Sequence, residues 1–321
     1  MSDLPARIPV YLDCDTGIDD ALALGYLLAS PQVNFVGIGS VSGNVSAAQG
    51  AANTLDLLEL AGRTEVPVAI GEHDFQTHPY SGGAPHVHGE AGIGNVELLR
   101  ATAKTVDETA AEMIVRLAHE FPGELRMIAI GPLTNLAAAL RLDPELPSLV
   151  HSLTIMGGAC LVPGNVSAVA EANIHNDPEA AQEVFAAAWP ITMVGLDVTM
   201  EHLFESRHRD ALLASPKPFA VALGQMLDVY FDFYLTVFGR RVSALHDPLA
   251  VAIALGDLTL TEAPVVEVEV DTTDGPGRGQ TVADLRGRFL GHPLTPAAHT
   301  TVVLSVEEDF AEVLLDRLLA I

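Results

Sequence analysis

The sequence predicts an α/β fold: an open, mostly parallel central sheet flanked by helices on both faces, with a small antiparallel extension near the C-terminus. Three observations carry this expectation. Strand-like and helix-like segments alternate along most of the 321 residues. The first strand-like run, Ile8–Leu12, is apolar throughout, as a strand buried on both faces is. Residues 264–304 then switch to short alternating runs and turn residues.

Taken in order, strands are expected near residues 8–14, 33–39, 66–70, 125–130, 150–156 and 191–195. Helices are expected near 20–29, 46–61, 107–119, 133–141, 178–187 and 217–238, with Ala21–Leu28 the first buried one. Asp143-Pro144, Asp177-Pro178 and Asp247-Pro248 each read as a helix start, a capping acid before proline at the first helical position. Residues 71–96 break the pattern; glycine-rich and holding His73, His78, His86 and His88, they read as a functional loop or lid. Val265–Val270 alternates and is followed by the turn-rich Thr272–Gly277, which predicts the antiparallel strands. Glu307–Leu319 reads as an amphipathic helix. No internal repeat or linker divides the chain, so one domain over 1–321 is expected.

The formal charge is −26 and Lys104 and Lys217 are the only lysines. Such a surface repels nucleic acid and anionic membrane, and suits a small neutral or cationic ligand or a metal. Cys14 and Cys160 cannot build a disulfide framework. Met1–Arg7 lacks a signal-peptide core, and no apolar run is read as long enough to cross a bilayer. A soluble cytoplasmic enzyme or binding protein is expected. Gly37-Ile38-Gly39 with Gly43 misses the dinucleotide fingerprint by one position.

Asp13-Cys14-Asp15-Thr16-Gly17-Ile18-Asp19-Asp20 puts four carboxylates into eight residues at the end of the first strand. Carboxylates this close repel one another unless each faces solvent or a cation sits among them. Asp19 as a helix cap would account for one acid but not four. All-oxygen ligands point to Ca²⁺ or Mg²⁺. Asp247 is a helix cap or a further ligand, and His246 beside it can move a proton near neutral pH. Asn165, Glu171 and Asn173 supply donors and acceptors suited to vicinal sugar hydroxyls, or a polar loop. Asn44 serves a ligand or a turn. His86-Val87-His88 has spacing that permits zinc but lacks companions. Tyr230 and Tyr234 share a helix face as core or pocket wall.

This ordered series resembles the inosine-uridine-preferring nucleoside hydrolases. Asp13–Asp20 looks like that family's N-terminal signature. Val41–Asn44, His88–Glu90, Gly131–Asn135, Met156–Gly158, Glu171–Asn173, Asn176–Ala181 and His246–Pro248 follow in the family's order, over essentially the whole chain. The resemblance implies a Ca²⁺ held by the side chains of Asp15, Asp20 and Asp247 and the carbonyl of Ile130. It implies a ribose held by Asp19, Asn44, Asn165, Glu171 and Asn173, with Met156 lining that pocket. It places His88 and His246 on the base side with Tyr230 and Tyr234, and implies a homodimer or homotetramer. Ala172 stands where the family often has Phe, and Phe238 offers no proton.

The expected reaction is hydrolysis of the N-glycosidic bond of a ribonucleoside, with Asp15 as general base and His246 as acid. Two alternatives compete: a non-catalytic nucleoside or ribose binder with structural Ca²⁺, and an aspartate-nucleophile phosphatase using Asp13.

Overall fold

The computed structural model describes residues 7–290 and 298–321. The N-terminal segment and part of the antiparallel extension read above, residues 1–6 and 291–297, lie outside the described residues.

Six strands form close to their expected bounds: β1 (Ile8–Cys14), β2 (Val33–Ser40), β3 (Val68–Ile70), β4 (Arg126–Ala129), β5 (Ser152–Met156) and β6 (Ile191–Val194). The helices up to the end of β6 are α1 (Ile18–Leu28), α2 (Ala47–Ala61), α3 (Pro85–His88), α4 (Ala110–Glu120), α5 (Thr134–Leu142), α6 (Leu146–Leu149), α7 (Ala172–Asn176) and α8 (Pro178–Ala186). After β6 come α9 (Leu196–Thr199), α10 (Ser206–Leu213), α11 (Pro218–Phe238) and α12 (His246–Leu255).

The sheet runs β3-β2-β1-β4-β5-β6, all parallel. Thr300–Val303 adds in parallel beside β6, and Val265–Val266 closes that edge antiparallel. The chain thus begins mid-sheet at β1, winds out to β3, then returns to β4 on β1's other side. Connections leave β1 and β4 in opposite directions, and open α/β sheets place ligands at the carboxyl ends of such a pair. Asp15 follows β1 and Ile130 follows β4, and the Ile130 N–H donates to the Asp13 carbonyl at 2.8 Å.

Side chains alternate across the sheet. Val10, Leu12 and Cys14 enter one apolar core with α1, α11 and α12, while Tyr11 enters the other with α4, α5 and α8. Every residue of α12 is buried, which explains a helix without a polar face.

Several local expectations are corrected. Asp177 does cap α8, accepting from the Ala180 N–H at 3.1 Å. Asp143 instead terminates α5 and accepts from the Glu145 N–H at 3.0 Å, so the next helix starts only at Leu146. α12 begins at His246, one residue early, which puts Asp247 in its first turn and not at its cap. Gly17 and not Asp19 flanks α1; Asp20 reaches back to accept the Gly17 N–H at 2.7 Å. The alternating run 265–270 is broken at Glu267, and Val268–Val270 pairs antiparallel with Thr281–Ala283 away from the main sheet. α11 spans 21 residues with mean hydropathy 1.2, long and apolar enough for a bilayer, contrary to the sequence reading. Its apolar face packs in the core, while Asp228 and Asp232 on its other side pair with Arg209 and Arg241.

Candidate active site

The β1–α1 turn gathers the acids. Asp15, Asp19 and Asp20 are all buried, and α12 brings Asp247, also buried, against them. Oxygens of Asp19, Asp20 and Asp247 come within 4.8 Å of one another. Asp15 belongs to the same acidic group but lies outside this tightest trio. Its Oδ2 accepts the Asn44 N–H at 2.6 Å, while Oδ1 is buried with no partner. Asp20 accepts from the Asp15 and Gly17 N–H groups and, at 3.3 Å, from Asn44 Nδ2. Asp19 Oδ2 accepts the Tyr230 hydroxyl at 2.8 Å and its Oδ1 has no hydrogen-bond partner.

Burial, then mutual repulsion, pushes the carboxyls of Asp15 and Asp247 well above the ordinary range, and Asp20 up to about 7. Among the described residues, no lysine or arginine lines the adjoining cavity. Crowded, oriented carboxylates with two orphaned oxygens and no cationic side chain suit a hard divalent ion. The glycines of Val41–Asn44 and Gly131–Asn135 make this crowding sterically possible: a Cβ on Gly43 would fall 2.0 Å from Asp15 Oδ2, and one on Gly131 3.1 Å from Oδ1.

Beside the acids opens a cavity of about 410 Å³, the size of a small-ligand site. Asp19 and Asp247 line it, with Asn44, His88, Ile130, Met156, Asn165, Glu171, Asn173, Tyr230, Tyr234 and His246. Asp15 and Asp20 lie outside that lining. Glu171 caps α7: its two oxygens accept the N–H groups of Asn173, Ile174 and Gly158 at 2.9–3.2 Å. Asn173 Nδ2 then donates to the carbonyls of Ile130 and Met156 at 3.0 and 3.1 Å. Asn165 Oδ1 takes the Ala172 N–H at 3.0 Å, which ties the 158–171 loop over the cavity.

At the other end sit rings. His88 Nδ1 accepts the Ile18 N–H at 3.1 Å, so it carries no proton there, and burial lowers its pKa. Its 3.8 Å approach to Asp19 is therefore not a charged pair. His246 bridges two hydroxyls, Thr199 Oγ1 to Nδ1 at 2.7 Å and Tyr234 to Nε2 at 2.6 Å. Burial brings its pKa down to about 4. Tyr230 and Tyr234 rings meet edge-on with centroids 4.9 Å apart.

The chain matches the family profile for "Inosine-uridine preferring nucleoside hydrolase" over residues 10–312. It belongs to that family. A "Probable uridine nucleosidase 2" of Arabidopsis thaliana is 38% identical over 285 residues, which covers 88% of this chain and 85% of the relative. The structure titled "Plant nucleoside hydrolase - PpNRh1 enzyme" has a TM-score of 0.90 at 32% identity, covering 98% of this chain and 99% of that one. A "Purine-Preferring Ribonucleoside Hydrolase from Gardnerella vaginalis" has a TM-score of 0.87 at 34% identity, covering 97% of each chain. The reaction class of this nucleoside hydrolase is thereby given: hydrolysis of ribonucleosides.

Sequence reasoning missed part of the wall. Phe233, Val237, His86 and Met200 also line the cavity. Tyr230, Phe233, Tyr234 and Val237 recur at i, i+3, i+4 and i+7, so the stripe was readable once two of its members were chosen. Thr199 and Met200 carried no such signal. Asp13, nucleophile of the phosphatase alternative, is sealed off: Tyr11 donates to it at 2.7 Å and Asn135 Nδ2 at 3.0 Å, and it does not line the cavity.

Proposed function

We propose that this nucleoside hydrolase cleaves the N-glycosidic bond of purine or pyrimidine ribonucleosides with a Ca²⁺ held by Asp15, Asp20, Asp247 and the Ile130 carbonyl. The observation that carries the reading is the set of four buried acids, two with orphaned oxygens, beside a cavity that, among the described residues, no lysine or arginine lines. Donors that are all oxygen favour a hard ion over zinc. When bound, that ion supplies positive charge for the sugar's vicinal hydroxyls and lowers the pKa of water beside it.

The chain's own groups do the rest. Asn44, Asn165, Glu171 and Asn173 surround the ribose, and Glu171 holds Asn173 in place through the α7 cap. Asp19 projects onto the cavity wall, where Asp15 and Asp20 do not, and so suits the sugar hydroxyls. Asp15 takes the proton from the attacking water. The buried carboxylates stabilise the positive charge that develops on the ribose as the bond breaks. His246 and Tyr234, hydrogen-bonded to each other and facing the ring-lined end, deliver a proton to the departing base. The chain works as one domain, in a cytoplasmic homodimer or homotetramer.

The test is incubation of calcium-loaded protein with inosine, uridine, cytidine and adenosine, scored by reducing sugar, beside calorimetric titration with Ca²⁺. Release from at least one nucleoside and Ca²⁺ binding that Asp247→Asn abolishes are expected. Binding of nucleosides without release would reverse the catalytic reading.

A further inference from the structure

The Gly195-Leu196-Asp197-Val198-Thr199 segment just after β6 reaches the site through one atom, Thr199 Oγ1. Its short helix, α9, is fixed at both ends. The Leu196 N–H donates to the Gly158 carbonyl at 2.8 Å, and a Cβ on Gly195 would sit 2.8 Å from that same oxygen. Asp197 accepts the Cys160 and Leu161 N–H groups at 2.9 and 2.7 Å. α9 is therefore bolted to the loop whose Gly158 N–H is held by Glu171 on the sugar side. At its far end Thr199, with no exposed surface, presents Oγ1 to His246 Nδ1 at 2.7 Å.

A histidine has two ring nitrogens, and the partner of one decides which way the other faces and which carries the proton. Nδ1 is engaged by Thr199, so Nε2 is the nitrogen directed to Tyr234 and the cavity. We infer that Thr199 is a positioning residue for the reaction: its hydroxyl fixes the His246 ring so that Nε2 and the Tyr234 hydroxyl face the departing base. This rests on the assignment of His246 to the leaving base. Without the hydroxyl, the ring is held only by Tyr234 and its packing, and its buried Nδ1 loses its partner.

The test separates leaving-group help from everything else. A nucleobase departs slowly unless protonated, whereas para-nitrophenolate leaves without a proton. Uridine, inosine and para-nitrophenyl riboside are compared for wild type, Thr199→Ala, Thr199→Ser and His246→Ala. Thr199→Ala and Thr199→Ser lose the same methyl group and differ in the hydroxyl alone. Thr199→Ala is expected to lower kcat on the nucleosides about ten- to a hundredfold, with KM little changed and the aryl riboside turned over at near wild-type rate. Thr199→Ser is expected to restore the nucleoside rate. Equal loss on nucleosides and aryl riboside, or equal rates for the alanine and serine variants, would overturn the positioning role. If His246→Ala is selective for nucleosides and Thr199→Ala is not, the Thr199 inference fails alone. If His246→Ala is not selective either, the leaving-group assignment itself is wrong.

Discussion

Tyr230 donates its hydroxyl to Asp19 Oδ2 at 2.8 Å, joining the middle of α11 to the acidic turn after β1 across 211 positions of sequence. Both residues line the cavity, so the bond fixes a carboxylate that faces the cavity. A hydrogen bond to a charged acceptor is worth about 1.5–3 kcal/mol. Tyr230→Phe keeps the ring and removes the bond. It should lower kcat/KM on the best nucleoside about ten- to a hundredfold while the fold persists, as read by steady-state kinetics and circular dichroism. Unchanged kinetics would mean that Asp19 is oriented by something other than Tyr230.

The buried acids make stability depend on pH in a direction opposite to that of ordinary salt-bridged carboxylates. Burial pushes Asp13 and Asp20 from 3.8 up to about 7. At these two sites the folded protein therefore holds more protons than the unfolded chain between those values. Their contribution to stability is complete below the unfolded pKa and is lost as pH rises through the folded one. Stripped of divalent ions, the protein should lose the acids' share of its stability as pH is raised from about 4 to about 7, a loss read as the difference in melting temperature between wild type and Asp20→Asn across that window. Added Ca²⁺ binds the ionised acids, so its stabilising effect should grow with pH over the same window. Asp20→Asn should flatten both trends. Calorimetric scans at several pH values, with and without Ca²⁺, measure this; a calcium effect that shrinks as pH rises would contradict it.

Gly43 offers a way to disturb Asp15 without touching its chemistry. Its ideal Cβ would lie 2.0 Å from Asp15 Oδ2 and 2.9 Å from Pro132 Cδ, so a methyl group must push the carboxylate aside. Misplacement by about 1 Å near the reacting atoms costs about a hundredfold in rate. Gly43→Ala should therefore weaken Ca²⁺ binding and lower turnover to about that extent. A wild-type rate in this variant would show that the Asp15 position is not critical.

What was legible in the sequence was local. The acids of the first turn announce themselves because like charges within eight residues need an external explanation, and the apolar flanks place them at a strand end. Helix and strand positions followed from apolar patterning, which burial then enforced. The same Asp-Pro signal succeeded at Asp177, failed at Asp143, and at Asp247 marked a helix start without supplying its cap. An aspartate has competing partners, and at Asp143 the nearby Glu145 N–H won. At Asp247 the carboxylate was drawn into the acidic group. Thr199 was invisible, because its meaning arises only when α9 and α12 meet. Phe233 and Val237 were hidden for the same reason until Tyr230 and Tyr234 fixed which face of α11 looks inward.

The division of labour between Asp15 and Asp19 can be tested directly. The tightest oxygen cluster contains Asp19, Asp20 and Asp247, whereas the assignment proposed above gives the ion to Asp15, Asp20 and Asp247. Two features favour Asp15. Both of its oxygens are clear of side-chain hydrogen bonds, with Oδ1 buried and unpartnered as Asp19 Oδ1 also is, and it lies behind the cavity lining and not on it. Asp19 spends one oxygen on Tyr230 and faces the cavity, as a sugar contact does. Asp15→Asn should then weaken Ca²⁺ binding about tenfold or more and abolish most turnover, since both a ligand and the base are removed. Asp19→Asn should leave Ca²⁺ affinity nearly unchanged but weaken inhibition by free ribose about tenfold, through loss of a charged hydrogen-bond acceptor. Calorimetry with Ca²⁺ and inhibition by ribose read the two effects separately. The reverse pattern, with Asp19→Asn losing the ion and Asp15→Asn keeping it, would exchange the two roles.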